Sequence, residues 1–109
     1  GTHFVAVFES DKKQIYFDSY GLECFVPSIC SNFFSKSKSN EMNIVDIQPP
    51  NSIFCGLYCL AFCLWMEKIN QNLNDFISIF TKSSRHNDYL CTELIKQLIM
   101  MYILCTLFS

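Results

Sequence analysis

The sequence has no basic run longer than Lys12-Lys13, no signal peptide, and no apolar stretch as long as a bilayer crossing. The first lack, with a net charge of −2, removes any need for a nucleic-acid or membrane-surface partner. The third rests on two runs. Ile53 to Met66 is fourteen residues without a charge, and Leu98 to Phe108 is eleven. Both fall short of the ~20 residues that span a membrane, so no anchor is expected. Cysteine is plentiful but oddly numbered. Seven are present, with no C-x-x-C pair, which excludes the common zinc knuckles and fits reduced thiols better than a disulfide framework. That usage implies an intracellular setting: nucleus, cytoplasm or virion. No internal repeat is visible, and 109 residues make one domain.

Half of the residues are apolar and eleven are Phe, enough for a substantial core. "HFVAVF" (3–8) is β-branched and aromatic on both faces and predicts a buried strand. "ESDKK" is a polar turn and "QIYFD" (14–18) a second strand, so the two should form an antiparallel hairpin. "SICSNFFSKSKSNEMN" (28–43) is polar and serine-rich and reads as a surface loop. "IVDIQ" (44–48) reads as a third strand, broken by "PPNS". Ile53 to about Lys68 is apolar nearly all round, which predicts a central buried helix. Leu73, Phe76, Ile77 and Phe80 keep helical spacing. Asn87 or Asp88 could cap a last helix carrying Leu90, Leu94, Ile95, Leu98 and Ile99. Strands first and helices after make the class α+β.

The hairpin has a chemical consequence. A turn centred on Ser10 to Lys13 pairs residues whose numbers add to roughly 21 to 23, which sets His3 across from or diagonal to Asp18. A carboxylate beside an imidazole fixes its tautomer and prepares it as a base. Asn51 or Ser52 is a good N-cap, so Cys55 falls in the first helical turn, where unpaired N–H groups and the macrodipole favour a thiolate. Gly56 leaves the approach to that thiol open. Gln48 ends the segment feeding the helix and can offer its amide to a developing oxyanion. Asp46 competes with Asp18 as orienter but lies in another strand. Cys59 and Cys63 continue a stripe from Cys55 and read as small buried thiols; no metal site is expected. His86 reads as a solvated loop residue.

With His3-Phe4, "YFDSYG" and "IQPPNSIFCGLYC" in view, the chain resembles the adenain-like and ubiquitin-like-protein-specific cysteine proteases. That superfamily includes the adenovirus protease, the SUMO proteases and those of Maverick/Polinton-type mobile elements. Gln48 to Leu57 is particularly similar to the adenovirus pattern and "YFDSYGL" to the mobile-element and SUMO-protease pattern. The resemblance covers Gly1 to about Cys63. It implies His3 as base, Asp18 as orienter, Gln48 as oxyanion donor and Cys55 as nucleophile. It implies a permuted papain-like core: a β-hairpin plus third strand, a central buried helix and C-terminal helices. It further implies cleavage at Gly-containing sites in a protein or polyprotein substrate. Deconjugation of a ubiquitin-like modifier is the alternative within the enzyme class, and a non-catalytic interaction module the alternative outside it. Two departures stand out. Phe4 occupies the usual Trp position after the His, which alters packing and not chemistry. Family domains also carry a segment before the His, so residues 1–109 read as a single N-terminally truncated catalytic domain. The adenovirus enzyme uses DNA as a cofactor; the acidic balance here gives that no support, and no cofactor is expected.

Overall fold

The computed structural model describes residues 3–22, 24, 38–82 and 84–108. Among the described residues three strands come first, β1 (Ala6–Glu9), β2 (Lys13–Phe17) and β3 (Ser39–Met42), followed by helices α1 (Cys55–Lys68), α2 (Leu73–Ile77) and α3 (His86–Phe108). The architecture is α+β.

β2 is the middle strand. It pairs antiparallel with β1 in the register Ala6↔Phe17 to Glu9↔Gln14, and parallel with β3 from Lys13↔Ser39 to Tyr16↔Met42. The β1–β2 pairs add to 23, within the range the turn predicts. Ser10 closes that turn: its N–H donates to Lys13 O at 2.9 Å and its hydroxyl accepts from Lys13 N–H at 3.3 Å. As the centre of the sheet, β2 is buried at every position from Gln14 to Phe17. β1 is an edge strand, and the expectation that it is buried on both faces fails: Ala6 is covered while Val7 and Glu9 are exposed.

Strand β3 replaces the predicted "IVDIQ" strand. "SNEM" lies at the end of the segment read as a loop; residues 28–37 of that segment lie outside the described residues. Residues 44–48 are irregular. The N–H groups of Ile47 and Gln48 both donate to one carbonyl, Ser19 O, at 2.9 and 3.0 Å, so no ladder can propagate. Ile44 is 83% exposed while Ile47 is fully buried, which anchors this stretch at a single apolar point.

The core lies between the sheet and α1. Phe17 stacks on Phe62 with centroids 4.9 Å apart, and Phe76 meets both edge-on at 5.5 and 5.8 Å. All three rings are fully buried, each worth ~1.5–3 kcal/mol in area removed from water. α1 is less enclosed than its composition predicts. Tyr58, Ala61, Phe62 and Met66 face the core, whereas Leu57, Leu60 and Cys63 are exposed. α2 ends at Ile77, short of the predicted Phe80, and is capped by Asn72 Oδ1, which accepts from Asp75 N–H at 3.0 Å. α3 begins at His86, so that residue opens a helix and stacks on Tyr89 at 5.5 Å. Cys91, Ile95 and Leu98 bury its first half, and Ile99 to Leu107 is exposed on every side. The two halves form one continuous helix. By length and composition it could cross a membrane, with a mean hydropathy of 1.5 over its most apolar window.

Two turns place the chemistry. Gly21 N–H donates to Asp18 O at 2.8 Å, closing a tight turn over Asp18-Ser19-Tyr20-Gly21, and Gly21 sits at φ +68°. A Cβ there would lie 2.9 Å from Ile44 O. Pro49 to Ser52 form a second turn, with Pro50 then Asn51 at φ 64° in its central positions, the type II pattern. Gly21→Ala should therefore lower unfolding stability by about 1–3 kcal/mol. At Gly56 a Cβ meets only Phe4 Cδ2, at an ordinary 3.6 Å. Gly56→Ala should change stability by less than about 1 kcal/mol. Urea denaturation of both variants checks the contrast; equal losses would contradict it.

Candidate active site

The two turns and the start of α1 border one cleft of about 600 Å³, lined by His3, Tyr20, Leu22, Gln48, Ser52, Ile53 and Cys55. Asp18 supports it from behind. His3 sits in the extended lead-in to β1, and its Nε2 lies 2.8 Å from Asp18 Oδ1. A carboxylate can only accept, so Nε2 carries the proton and Nδ1 is left as the basic nitrogen. The exposures differ sharply: the His3 side chain is 35% exposed and that of Asp18 is 4%. The imidazole is thus accessible while the carboxylate beside it stays dry. Asp18 Oδ1 also accepts from Tyr20 N–H at 2.9 Å. Asn43 holds the Asp18 backbone at both ends, accepting from its N–H at 3.0 Å and donating to its carbonyl at 2.5 Å.

Gln48 is almost wholly buried although it borders the cleft. One end of its amide lies 2.8 Å from Ser52 O, an atom that only accepts, so this end is the NH₂. The Ser19 hydroxyl donates to the other end at 2.5 Å. One amide hydrogen is therefore committed to Ser52, and the second is the one an oxyanion could use. Tyr20 packs its ring against His3 with centroids 5.3 Å apart, and its hydroxyl donates to the same Ser52 carbonyl at 3.3 Å. Burial, then the charges of Cys55, Asp46, Asp18 and Asp88, push the Tyr20 phenol above its ordinary range, so it remains a donor at neutral pH.

Cys55 is the first residue of α1 and is buried. The N-cap position is Phe54, which supplies no side-chain cap, so neither Asn51 nor Ser52 caps this helix in the expected way. Ser52 Oγ accepts instead from Phe54 N–H at 3.2 Å, one residue short of the helix. Cys55 nonetheless stands in the first helical turn, where the positive end of the helix dipole favours negative charge. Gly56 faces the Phe4 ring. The other thiols differ in setting. Burial pushes Cys59 and Cys91 up to about 12, with Cys63 and Cys55 adding to the first and Asp88 to the second. Cys63 is exposed on the helix surface and not a buried thiol as expected; partial desolvation of its sulfur and the nearby Glu67 raise it. Among the described residues no disulfide forms, and no cluster of His, Cys, Asp and Glu could hold a metal.

Of the four sequence-derived positions, His3, Gln48 and Cys55 line this cleft, and Asp18 joins them through its contact with His3. Ser19, Tyr20 and Ser52 lie within the quoted motifs but carry no distinguishing signal of their own. Asn87 and Asp88 read in sequence only as caps of the last helix; α3 begins at His86, so both lie inside its first turn and serve other partners. Asn87 Nδ2 donates to Ile47 O at 2.8 Å, next to Gln48, and Asp88 Oδ1 accepts from Ser52 Oγ at 3.1 Å and from Tyr58 OH at 2.8 Å. A second cleft of about 390 Å³ at the hairpin turn is lined by Ser10 to Lys13 and Gln71; its Lys13 is engaged by Gln71 O and Glu41. No protein family, curated protein or solved structure matches the chain.

A thiol raised to about 12 is ionised to only ~10⁻⁵ at neutral pH. Iodoacetamide at mildly acidic pH should accordingly label Cys59 and Cys91 last; Cys55, which shares its cleft with the His3 base, should be labelled ahead of the others. Mass spectrometry of tryptic peptides reads this directly. Equal labelling of all seven would remove the case for an activated thiol.

Proposed function

We propose that this chain is a cysteine-type endopeptidase with a Cys-His-Asp triad and a Gln oxyanion donor, built on a permuted papain-like core. The observation that carries the reading is the 2.8 Å contact between His3 Nε2 and buried Asp18, made in the cleft that Cys55 and Gln48 border. A base nitrogen oriented by a carboxylate, a sulfur at a helix start and an amide donor are what acyl transfer through a thiol requires.

The Cys55 sulfur, its proton passed to His3 Nδ1, attacks a peptide carbonyl carbon. The carbonyl oxygen becomes an oxyanion, held by the second Gln48 amide hydrogen and the Cys55 backbone N–H. Collapse breaks the C–N bond. His3 donates its proton to the leaving amine, leaving a thioester on Cys55. His3 then takes a proton from water, the hydroxyl attacks the thioester carbonyl, and the acid product leaves as the thiol reforms. Asp18 holds the imidazole throughout and stabilises its charged form. The substrate is a protein or polyprotein of an intracellular or virion setting, cut at Gly-containing sites.

Hydrolysis of Gly-containing peptides by the purified protein tests the assignment. Cys55→Ala should abolish turnover, His3→Ala should come close, and Asp18→Ala should cost less. Gln48→Ala should lower kcat by ~10²–10³. Loss of activity in Asp46→Ala with none in Gln48→Ala would overturn the roles. Turnover confined to the joint between a ubiquitin-like modifier and a lysine would mark a deconjugating isopeptidase. No turnover with a reactive Cys55 would favour a non-catalytic interaction module.

A further inference from the structure

Asp88 touches the chain on both sides of Cys55. Ser52, whose hydroxyl donates to Asp88 Oδ1 at 3.1 Å, lies three residues before the cysteine; Tyr58, whose hydroxyl donates to the same oxygen at 2.8 Å, lies three residues after it. A helix start is normally fixed by a side-chain cap, and α1 has none. The Ser52 hydroxyl is turned outward to Asp88 while accepting from Phe54 N–H, and the Ser52 carbonyl takes Tyr20 OH and Gln48 Nε2 at 3.3 and 2.8 Å. The hydroxyl and the carbonyl of Ser52 are thus each tied to two partners, and Asp88 is the contribution of α3. Tyr58 is fully buried, so its ring cannot shift to release the hydroxyl without opening the core. The acidic group itself sits in the first turn of α3, where the helix N-terminus favours negative charge.

From this geometry we infer that Asp88 is a positioning residue for the reaction: it replaces the missing cap of α1, clamping Ser52 and Tyr58 so that Cys55 and Gln48 hold their places. The inference rests on the peptidase reading for its role in turnover, but not for the clamp itself. Burial, then the neighbouring Asp88, raises the Tyr58 phenol, which keeps it a donor throughout the range in which the enzyme is folded and assayed. Small misplacement of a reacting group is costly in rate, so a clamp on both flanks of the nucleophile should act on kcat more than on substrate binding.

The test compares Asp88→Ala, Asp88→Asn and the double variant Ser52→Ala/Tyr58→Phe with wild type. Two readouts are taken per folded molecule: the rate of Cys55 alkylation by iodoacetamide, and kcat and KM on a Gly-containing peptide. Asp88→Ala should lower kcat ~10- to 10²-fold with little change in KM, and slow alkylation of Cys55. The double variant removes both donors while leaving the carboxylate, and should reproduce that loss. Asp88→Asn keeps an accepting oxygen and should restore most of the rate. A role in stability alone would lower the melting temperature in the same variants while leaving both rates per folded molecule unchanged, and that result overturns the inference. Should Asp88→Ala fail to fold, the double variant decides, since it keeps nearly all side-chain volume. Should wild type cleave no peptide, the peptidase reading falls and the alkylation rates alone judge the clamp.

Discussion

The segment from Asn43 to Ser52 is irregular and dips inward at Asn43 and at Ile47 to Pro49, so its buried backbone polar groups must be satisfied without a sheet ladder. The solution is a seam of buried polar side chains. Asn43 ties to the backbone of Asp18, Ser19 O takes the N–H groups of Ile47 and Gln48, and Asn87 donates to Ile47 O. Asp18, Ser19, Asn43, Gln48 and Asn87 are all buried, and an unpaired group at any of them would cost about 1–3 kcal/mol. The arrangement is therefore all-or-none. Once it forms, the Asp18 carboxylate, the Gln48 amide and the loop entering α1 are locked at one junction, and the cleft is a by-product of satisfying the backbone.

This explains an otherwise odd division of exposure. Asp18 and Gln48 serve the seam and are dry. His3 leads into an edge strand and is accessible, and Ser52 and Ile53 rim the opening. The aromatic floor of Phe17, Phe62 and Phe76 lies below, so the seam is braced on its apolar side by packing and on its other side by hydrogen bonds. Low dielectric around Asp18 strengthens its hold on His3, and the Tyr20 N–H on the same oxygen limits where the carboxylate can point.

Much of this was legible in the residues. The β1–β2 register follows from a tight polar turn, and from the register follows the meeting of His3 and Asp18. Helix α1 announces itself by a long apolar run behind a Pro-Pro-Asn-Ser break. The misses have physical causes. "SNEM" lacks β-forming residues, and its parallel pairing to β2 has no local turn to betray it. "IVDIQ" has the composition of a strand but spends its amides on Ser19. The exposed side of α1 and the exposed half of α3 are as apolar as core faces, so composition cannot tell which way they turn. Asp88 reads only as a cap because its partners are 36 and 30 residues away in the chain.

The most direct test of His3, Asp18 and Cys55 as one unit is a double-mutant cycle on thiol reactivity. The second-order rate of Cys55 alkylation at neutral pH would be measured for wild type, His3→Ala, Asp18→Ala and the double variant. If Asp18 acts through His3, removing His3 slows the reaction by ~10²-fold or more, removing Asp18 slows it less, and the double variant matches His3→Ala alone. Four equal rates, or losses that simply add, would mean that the three residues are neighbours and not a triad.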